Sequence, residues 1–189
     1  MHSFFLLSLA GLLATPPAAD WLVVPGHSLG HVVLGADAAT LAALGKPTTG
    51  DAAMQKAWTT WLGSRPASGS APSQLDVYTA PQNNDVDHHT VQLVRATSPW
   101  FHLANGLRPG SSLRTIRAVY GALPLAATYQ LPTGRRYLYD DVRRGIAFET
   151  DGTAATSHCR AVVVHQAGQA VATAGLPLGA YLAQKMPAQ

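Results

Sequence analysis

The hydrophobic positions of the chain recur with two different spacings, and each spacing predicts a different kind of element. In the segment 113–120, Leu113, Ile116 and Tyr120 fall on one face of a helix because they lie three and four positions apart. Leu41 and Leu44 have the same three-residue spacing in a shorter segment. Helices this short are unstable alone, so both need a sheet on which to bury their apolar faces.

Alternating or continuous apolar runs elsewhere predict strands. In "TVQLVRAT", Val91, Leu93 and Arg95 share one face, and "CRAVVVH" is rich in β-branched residues. Asp140-Asp141 is a plausible hairpin turn between two of these runs. The predicted strands are Ala57–Trp61, Gln74–Thr79, Thr90–Thr97, Arg136–Tyr139, Arg144–Glu149 and Cys159–His165.

Two stretches share one pattern and indicate an internal repeat. They are "GHVVLGADAATLAALGKP", residues 30–47, and "NGLRPGSSLRTIRAVYGALP", residues 105–124. In each, a glycine precedes a polar start and an apolar helix pattern, and a second glycine and a proline follow. Asp37 in one copy, and Ser111 or Ser112 in the other, are the predicted N-caps. The shared positions are Gly35 and Gly110, Gly45 and Gly121, and Pro47 and Pro124.

The repeat predicts an α+β fold of two tandem units. Each unit is expected to be a short helical pair packed on an antiparallel sheet of about three to four strands. The predicted boundaries are a signal peptide over 1–19, a first unit over 20–99, a second unit over 100–170 and a C-terminal tail over 171–189. The signal peptide is indicated by an apolar run from Phe4 to Leu13 followed by small residues, and it predicts export to the periplasm or the medium.

The glycine–helix–"LGKP" pattern followed by a β-meander resembles the β-lactamase inhibitor protein fold, of which small outer-membrane assembly lipoproteins carry a single copy. The resemblance covers roughly residues 22–167. It implies helices packed on one face of an antiparallel sheet, twice over, and binding of a target enzyme through open sheet faces and a protruding loop. No target-binding residue of the inhibitor can be matched to a position in this sequence.

Composition and charge limit the classes of partner. The chain of 189 residues is 47% hydrophobic and 12% charged, which is typical of a globular protein. Its second half is basic, which could favour an acidic partner, an anionic glycan or a lipid surface, although solvated faces are the simpler explanation. Nucleic acid is not expected, because no binding motif is present. The candidate binding residues are Trp100, Phe101, Arg135, Arg136, Arg143 and Arg144.

The segment Gly26-His27-Ser28-Leu29-Gly30 matches G-x-S-x-G, the nucleophile elbow of α/β-hydrolases. An elbow needs earlier strands and an oxyanion loop, and Ser28 lies only about nine residues beyond the predicted signal peptide. Leu103 stands at the position of Ser28 in the second copy of the repeat. A serine hydrolase centred on Ser28 therefore stays an alternative and not the leading hypothesis.

The sequence offers one alternative metal site. Asp85, Asp87 and His88 could form a loose surface metal site, but exposed polar side chains are the simpler explanation. The single cysteine, Cys159, is expected to be a small apolar residue in a buried strand. No cofactor is expected.

The leading hypothesis is an exported, non-enzymatic protein that binds another protein or an envelope component through its sheet faces. The alternatives are the serine hydrolase and a structural envelope component with no specific ligand. The sequence does not identify the ligand.

Overall fold

The structure is a computed structural model that describes residues 19–53, 55–64, 71–82, 85–172 and 178–185. Almost all of the regular structure is β. Two short 3-10 helices cover Ala19–Trp21 and Ala38–Leu44, and two α-helices cover Leu113–Tyr120 (α1) and Leu178–Lys185 (α2). The strands are β1 (Leu22–Val24), β2 (Ser28–Leu29), β3 (Val32–Val33), β4 (Thr49–Ala53), β5 (Lys56–Leu62), β6 (Gln74–Gln82), β7 (Asp85–Ala96), β8 (His102–Leu103), β9 (Leu125–Leu131), β10 (Gly134–Asp141), β11 (Ile146–Thr150) and β12 (Cys159–His165).

The described strands form two sheets. The larger sheet has eight strands in the order β4-β5-β6-β7-β12-β11-β10-β9, and each neighbouring pair is antiparallel. Its two halves meet where β7 pairs with β12, with Ala96 opposite Val162. The smaller sheet has the order β3-β2-β1-β8, and β1 runs parallel to β8. The chain therefore has one continuous large sheet to which both halves of the sequence contribute.

Each face of the larger sheet carries its own hydrophobic core, because successive side chains of a strand point to opposite faces. Val162 and Val164 of β12 pack with Val23 of the smaller sheet and Ile116 of α1. Val163, between them in the sequence, packs in the other core together with α2 residues. One face is thus covered by the smaller sheet and the short helices, and α2 lies over part of the other face.

The caps predicted for the two helical segments are confirmed. The side chain of Asp37 accepts a hydrogen bond from the amide of Ala39 at the start of the 3-10 helix Ala38–Leu44. The Ser112 hydroxyl accepts one from Thr115 at the start of α1. Gly45 and Gly121 end these helices, both with a φ of 77°, a conformation that glycine adopts without steric penalty.

The chain before each helical segment is held to a strand in the same way. Gly35 N–H donates to Val91 O of β7 at 2.7 Å, and Gly110 N–H donates to Cys159 O of β12 at 2.7 Å. Strand amides donate in return, from Val91 to Ala36 O and from Cys159 to Ser111 O. Both glycines have a positive φ, 77° at Gly35 and 99° at Gly110, and this conformation accounts for the glycine that the two sequence stretches share there.

The predicted fold class is wrong. The protein is mostly β, with sheets of four and eight strands, and not α+β with helical pairs packed on small sheets in two tandem units. The strands expected to form two separate sheets join through β7 and β12, so neither half has a sheet of its own. The six predicted strands are all present; Cys159–His165 has the predicted ends and the other five have at least one shifted end. The predicted signal peptide lies outside the described residues except for Ala19, and the predicted tail contains α2.

Candidate binding cleft

A buried ionic network crosses the face of the larger sheet that α2 partly covers. Arg95 of β7 lies between a carboxylate on each side, Asp76 of β6 and Glu149 of β11. Arg95 Nη1 donates to Asp76 Oδ2 at 2.7 Å. Its Nε and Nη2 donate to the two oxygens of Glu149 at 2.8 and 3.0 Å. Ala161 of β12 lies opposite Glu149, and its small side chain leaves room for the guanidinium to reach across that strand.

Arg95 and Glu149 hold each other ionised. Burial by itself would raise the pKa of Glu149, but the Arg95 guanidinium and the hydrogen bonds from Arg95 and Tyr129 lower it overall. Burial would likewise lower the pKa of Arg95, and the carboxylates of Glu149 and Asp76 raise it overall. Charges removed from water this completely are tolerated only when they are paired and hydrogen-bonded.

Polar side chains complete the network at both ends. Tyr129 of β9 donates to Glu149 Oε2 at 2.6 Å, and Arg136 Nε of β10 lies 3.4 Å from Glu149 Oε1. Burial and the Glu149 carboxylate raise the pKa of Tyr129 well above its usual value, which keeps the phenol protonated as a donor. At the other end, Thr60 and Gln74 donate to Asp76 Oδ1 at 2.6 and 2.7 Å.

The helix α2 is docked onto this face through Tyr181. The Tyr181 ring stacks on Trp58 with a centroid separation of 5.2 Å and an angle of 15° between the planes. Its hydroxyl lies 2.6 Å from Thr60 Oγ1, so α2 is connected to the ionic network as well as to the core. Leu182, on the next position of α2, is buried in the same core.

A cleft of about 610 Å³ lies beside α2 and has the ionic network as its floor. Arg95, Arg136 and Glu149 contribute to this floor, and Leu182 of α2 and Thr133 of the β9–β10 hairpin line one side. The opposite side is formed by the segment that connects β7 to β8. Trp100, in that segment, is 70% exposed, the largest exposed fraction among the large apolar side chains of the described residues.

A second groove of about 580 Å³ meets this cleft at Trp100. The two share Ser73, Gln74, Ser98 and Trp100 as lining residues. Beyond Trp100 most of the lining is aromatic or aliphatic, and it also contains Asp20, His31 and Lys46. The Trp21 ring lies 6.4 Å from that of Trp100 and 5.0 Å from that of Phe101, and Trp21 is itself 44% exposed. The exposed aromatic surface is therefore contiguous across the junction of the two depressions.

The structure separates the binding residues that the sequence indicated. Trp100 and Arg136 line the cleft, and Phe101 lines the second groove. Arg135, next to Arg136 on β10, is exposed and points to the opposite face of the sheet. Arg143 is exposed in the turn between β10 and β11. In the same turn, Arg144 pairs with Asp141 at 2.7 Å and lies over the Tyr120 ring at 5.1 Å, away from the cleft lining.

Ser28 lies in a two-residue strand, β2, between two tight turns. It pairs with Val24 and Val33 in the smaller sheet and is buried. A nucleophile elbow requires a strained strand-to-helix turn that exposes the serine, and β2 provides none. The backbone conformation explains why both glycines of the motif are present, because Gly26 has a φ of 70° and Gly30 has a φ of 56°. A Cβ on Gly30 would collide with Asp20 O and come within 3.0 Å of the Phe101 ring.

The remaining chemical candidates are dispersed. Asp85, Asp87 and His88 are exposed near the start of β7, and His88 Nε2 lies 3.8 Å from the carboxylate of Asp37. Within the described parts of the chain, no group of three His, Cys, Asp or Glu side chains could hold a metal ion. Cys159 is confirmed as a buried residue of β12, and burial raises the pKa of its thiol, which makes it a poor nucleophile.

Sequence reasoning missed the network beneath the cleft. The signal was present, because Arg95 shares one face of an apolar strand with Leu93. Val91, predicted on the same face, packs in the other core because the register of β7 shifts between Val91 and Leu93. A charged residue in such a position is buried and needs a partner of opposite charge. Which carboxylates supply that partner depends on the strand order β6-β7-β12-β11, which the sequence does not reveal.

The comparisons with known proteins give no family. No protein-family model matches the sequence, and no curated protein matches it. Among solved structures, an extracellular SCP-domain protein from Bacillus anthracis str. Ames aligns with 85% of this chain and 50% of its own, at a TM-score of 0.48 and 8% identity. A cysteine-rich secretory protein from Staphylococcus aureus subsp. aureus Mu50 aligns over 82% and 53%, at a TM-score of 0.43 and 10% identity.

A third structure, the uncharacterized protein YfeY from Escherichia coli, aligns with 76% of this chain and 99% of its own, at a TM-score of 0.41 and 8% identity. The chain therefore spans about half the length of the first two neighbours. Nothing in these comparisons supports the β-lactamase inhibitor protein-like fold or the tandem repeat. Within the described ranges, no helix is long and apolar enough to cross a membrane.

Proposed function

We propose that this chain is an exported binding protein without catalytic activity, and that it holds its ligand in the cleft around Trp100. The observation that carries the proposal is the exposure of Trp100 at the junction of two depressions. A tryptophan buries a large area when a partner covers it, and exposed aromatic side chains beside a concave surface are typical of recognition sites. The apolar run within residues 1–19 supports export.

The floor of the cleft also favours a binding role. Arg95, Glu149 and Asp76 are buried, and Arg95 is hydrogen-bonded to both carboxylates. The three side chains therefore form a rigid base, and few of their polar atoms are free to take part in a reaction. Rigid support beneath a site lowers the entropy that is lost when a ligand is ordered against it. The backbone of Trp100 is fixed by two hydrogen bonds: its amide donates to Ser98 Oγ at 3.3 Å, and its carbonyl accepts from His102 Nδ1 at 2.8 Å.

Replacement of Trp100 by alanine is expected to abolish capture of envelope material while leaving the fold intact, because the side chain is mostly exposed. The measurement is retention of envelope extract, both protein and glycan fractions, on immobilised protein. Val119→Ala is the matched control, since Val119 is exposed on α1, outside the cleft lining. Equal retention by the wild type and by both variants would contradict the assignment of the binding site to Trp100. No retention by any of them would support a purely structural envelope component.

A further inference from the structure

The charges that line the cleft cancel one another. Arg95 and Arg136 are paired with Glu149 and Asp76 in the floor. Arg160, at the rim, is paired with Asp151 at 2.9 Å. Each of the three arginines is therefore matched by a carboxylate, and an anionic ligand would have to break an existing ion pair to bind one of them. The cleft is suited to a neutral polar ligand, although the second half of the sequence is basic.

The backbone at the bottom of the cleft is not available to an added strand. Ser73 O accepts from Gly63 N–H at 2.8 Å. Gln74 N–H donates to Thr97 Oγ1 at 2.8 Å, and Gln74 O accepts from Thr97 N–H at 3.0 Å. An extended peptide that bound by strand addition would need free N–H and C=O groups along a sheet edge, and β6 is an interior strand. Strand addition to β6 is therefore excluded as the mode of recognition in this cleft.

The available side chains combine a flat apolar surface with many hydroxyl groups. Trp100 offers an exposed aromatic face, and Ser64, Ser73, Ser98 and Thr133 line the cleft around it. Ser98 Oγ accepts from the backbone amide of Trp100, and Thr133 Oγ1 accepts from Arg136 Nη2. Each of these hydroxyl groups also has a proton to donate to a ligand. A pyranose ring has the complementary form, with C–H groups on its faces and hydroxyl groups around its edge.

We propose that the ligand of the cleft is a neutral oligosaccharide, with one sugar ring stacked on Trp100. This inference rests on the proposed function and names the ligand class of the same site. Because the second groove continues from the cleft at Trp100 and exposes Trp21, further rings of the same linear chain extend past Trp100 towards Trp21. The site thus takes several consecutive sugar units.

The test is calorimetric titration of the full chain with four neutral oligosaccharides, namely chitotetraose in its N-acetylated form, cellotetraose, maltotetraose and xylotetraose. Tetragalacturonate is the acidic comparison. At least one neutral tetrasaccharide is expected to bind, and the Trp100→Ala variant is expected to bind it at least about tenfold more weakly, a difference of about 1.4 kcal/mol. Val119→Ala should bind as the wild type does.

Three results would overturn the inference. They are no binding of any neutral tetrasaccharide, binding of tetragalacturonate alone, and neutral binding that Trp100→Ala leaves unchanged. Each is separable from failure of the proposed function. If Trp100→Ala abolishes capture of an envelope protein while no saccharide binds, the cleft is a binding site and its ligand is not a sugar. Circular dichroism of both variants establishes that they are folded.

Discussion

Replacement of Glu149 by alanine is expected to destabilise the protein by about 3–5 kcal/mol, which is the usual effect of removing one partner from a buried ion pair. The loss is large because Arg95 would stay buried with only Asp76 to balance it, and the Tyr129 hydroxyl and Arg136 would lose the carboxylate that they contact. The measurement is the free energy of unfolding in urea, followed by tryptophan fluorescence.

The control for this variant is Arg160→Ala, which removes an ion pair whose arginine is mostly exposed. Exposed pairs contribute about 0–1 kcal/mol, so this change should be small. If Glu149→Ala does not fold, Glu149→Gln keeps the shape and part of the hydrogen bonding, and it should unfold at a lower urea concentration than the wild type. Equal stability of Glu149→Gln and the wild type would contradict the assigned role of the charge.

The same carboxylate predicts a loss of stability in acid. The pKa of Glu149 is lowered in the folded protein from an ordinary value of 4.5. Its contribution is therefore fully present above about pH 5 and is lost as the pH falls below 4.5 towards the folded pKa. Urea midpoints measured from pH 7 down to pH 3 should fall more steeply in the wild type than in Glu149→Gln. Parallel pH profiles of the two proteins would contradict this prediction.

Replacement of Gly145 by alanine is the second change with a large expected effect. Gly145 has a φ of 70°, and a Cβ there would collide with His165 O, approach Gly26 Cα at 2.8 Å and approach Ala167 N at 2.9 Å. The left-handed backbone costs about 1–2 kcal/mol for a non-glycine residue, and overpacking against backbone adds about 1–3 kcal/mol. Urea unfolding should therefore show a loss of about 2–5 kcal/mol.

Gly106→Ala is the matched control for this prediction. Gly106 has a φ of 83° but no heavy atom within 4 Å of the added Cβ, so Gly106→Ala should show only the cost of the left-handed backbone. The difference between the two variants isolates the close approach of three chain segments at Gly145. If Gly145→Ala were no less stable than Gly106→Ala, the result would contradict the close packing of the β10–β11 turn against Gly26.

Local features of the fold were predictable from the sequence, and long-range ones were not. Asp37 and Ser112 cap their helices, and the strand over Cys159–His165 has the predicted ends, because caps and strand runs depend on neighbouring residues. The pairing of β7 with β12 joins segments more than 60 residues apart, and an apolar run carries no information about its partner. The prediction of separate units failed at this pairing.

The candidate site was predictable only in part. Trp100 could be named from its residue type and its place at a turn, and the structure leaves it exposed. Arg136 was named from the basic cluster, but it lies in the cleft because strand alternation turns it to the opposite face from Arg135. The G-x-S-x-G match at Ser28 was misleading, since its glycines serve tight turns and close backbone packing.

The central claim is that ligand is held at Trp100, and site-specific photo-crosslinking tests it most directly. A benzophenone amino acid placed at the exposed position 71, in the cleft lining, leaves Trp100 in place and should form adducts with envelope material on irradiation. The same group at the exposed position 119 should form none. Adducts at position 71 that decrease when unlabelled wild-type protein is added, and that are lost when Trp100→Ala is combined with the probe, would match the account. Equal adduct formation from positions 71 and 119, or adducts at position 71 that Trp100→Ala leaves unchanged, would contradict it.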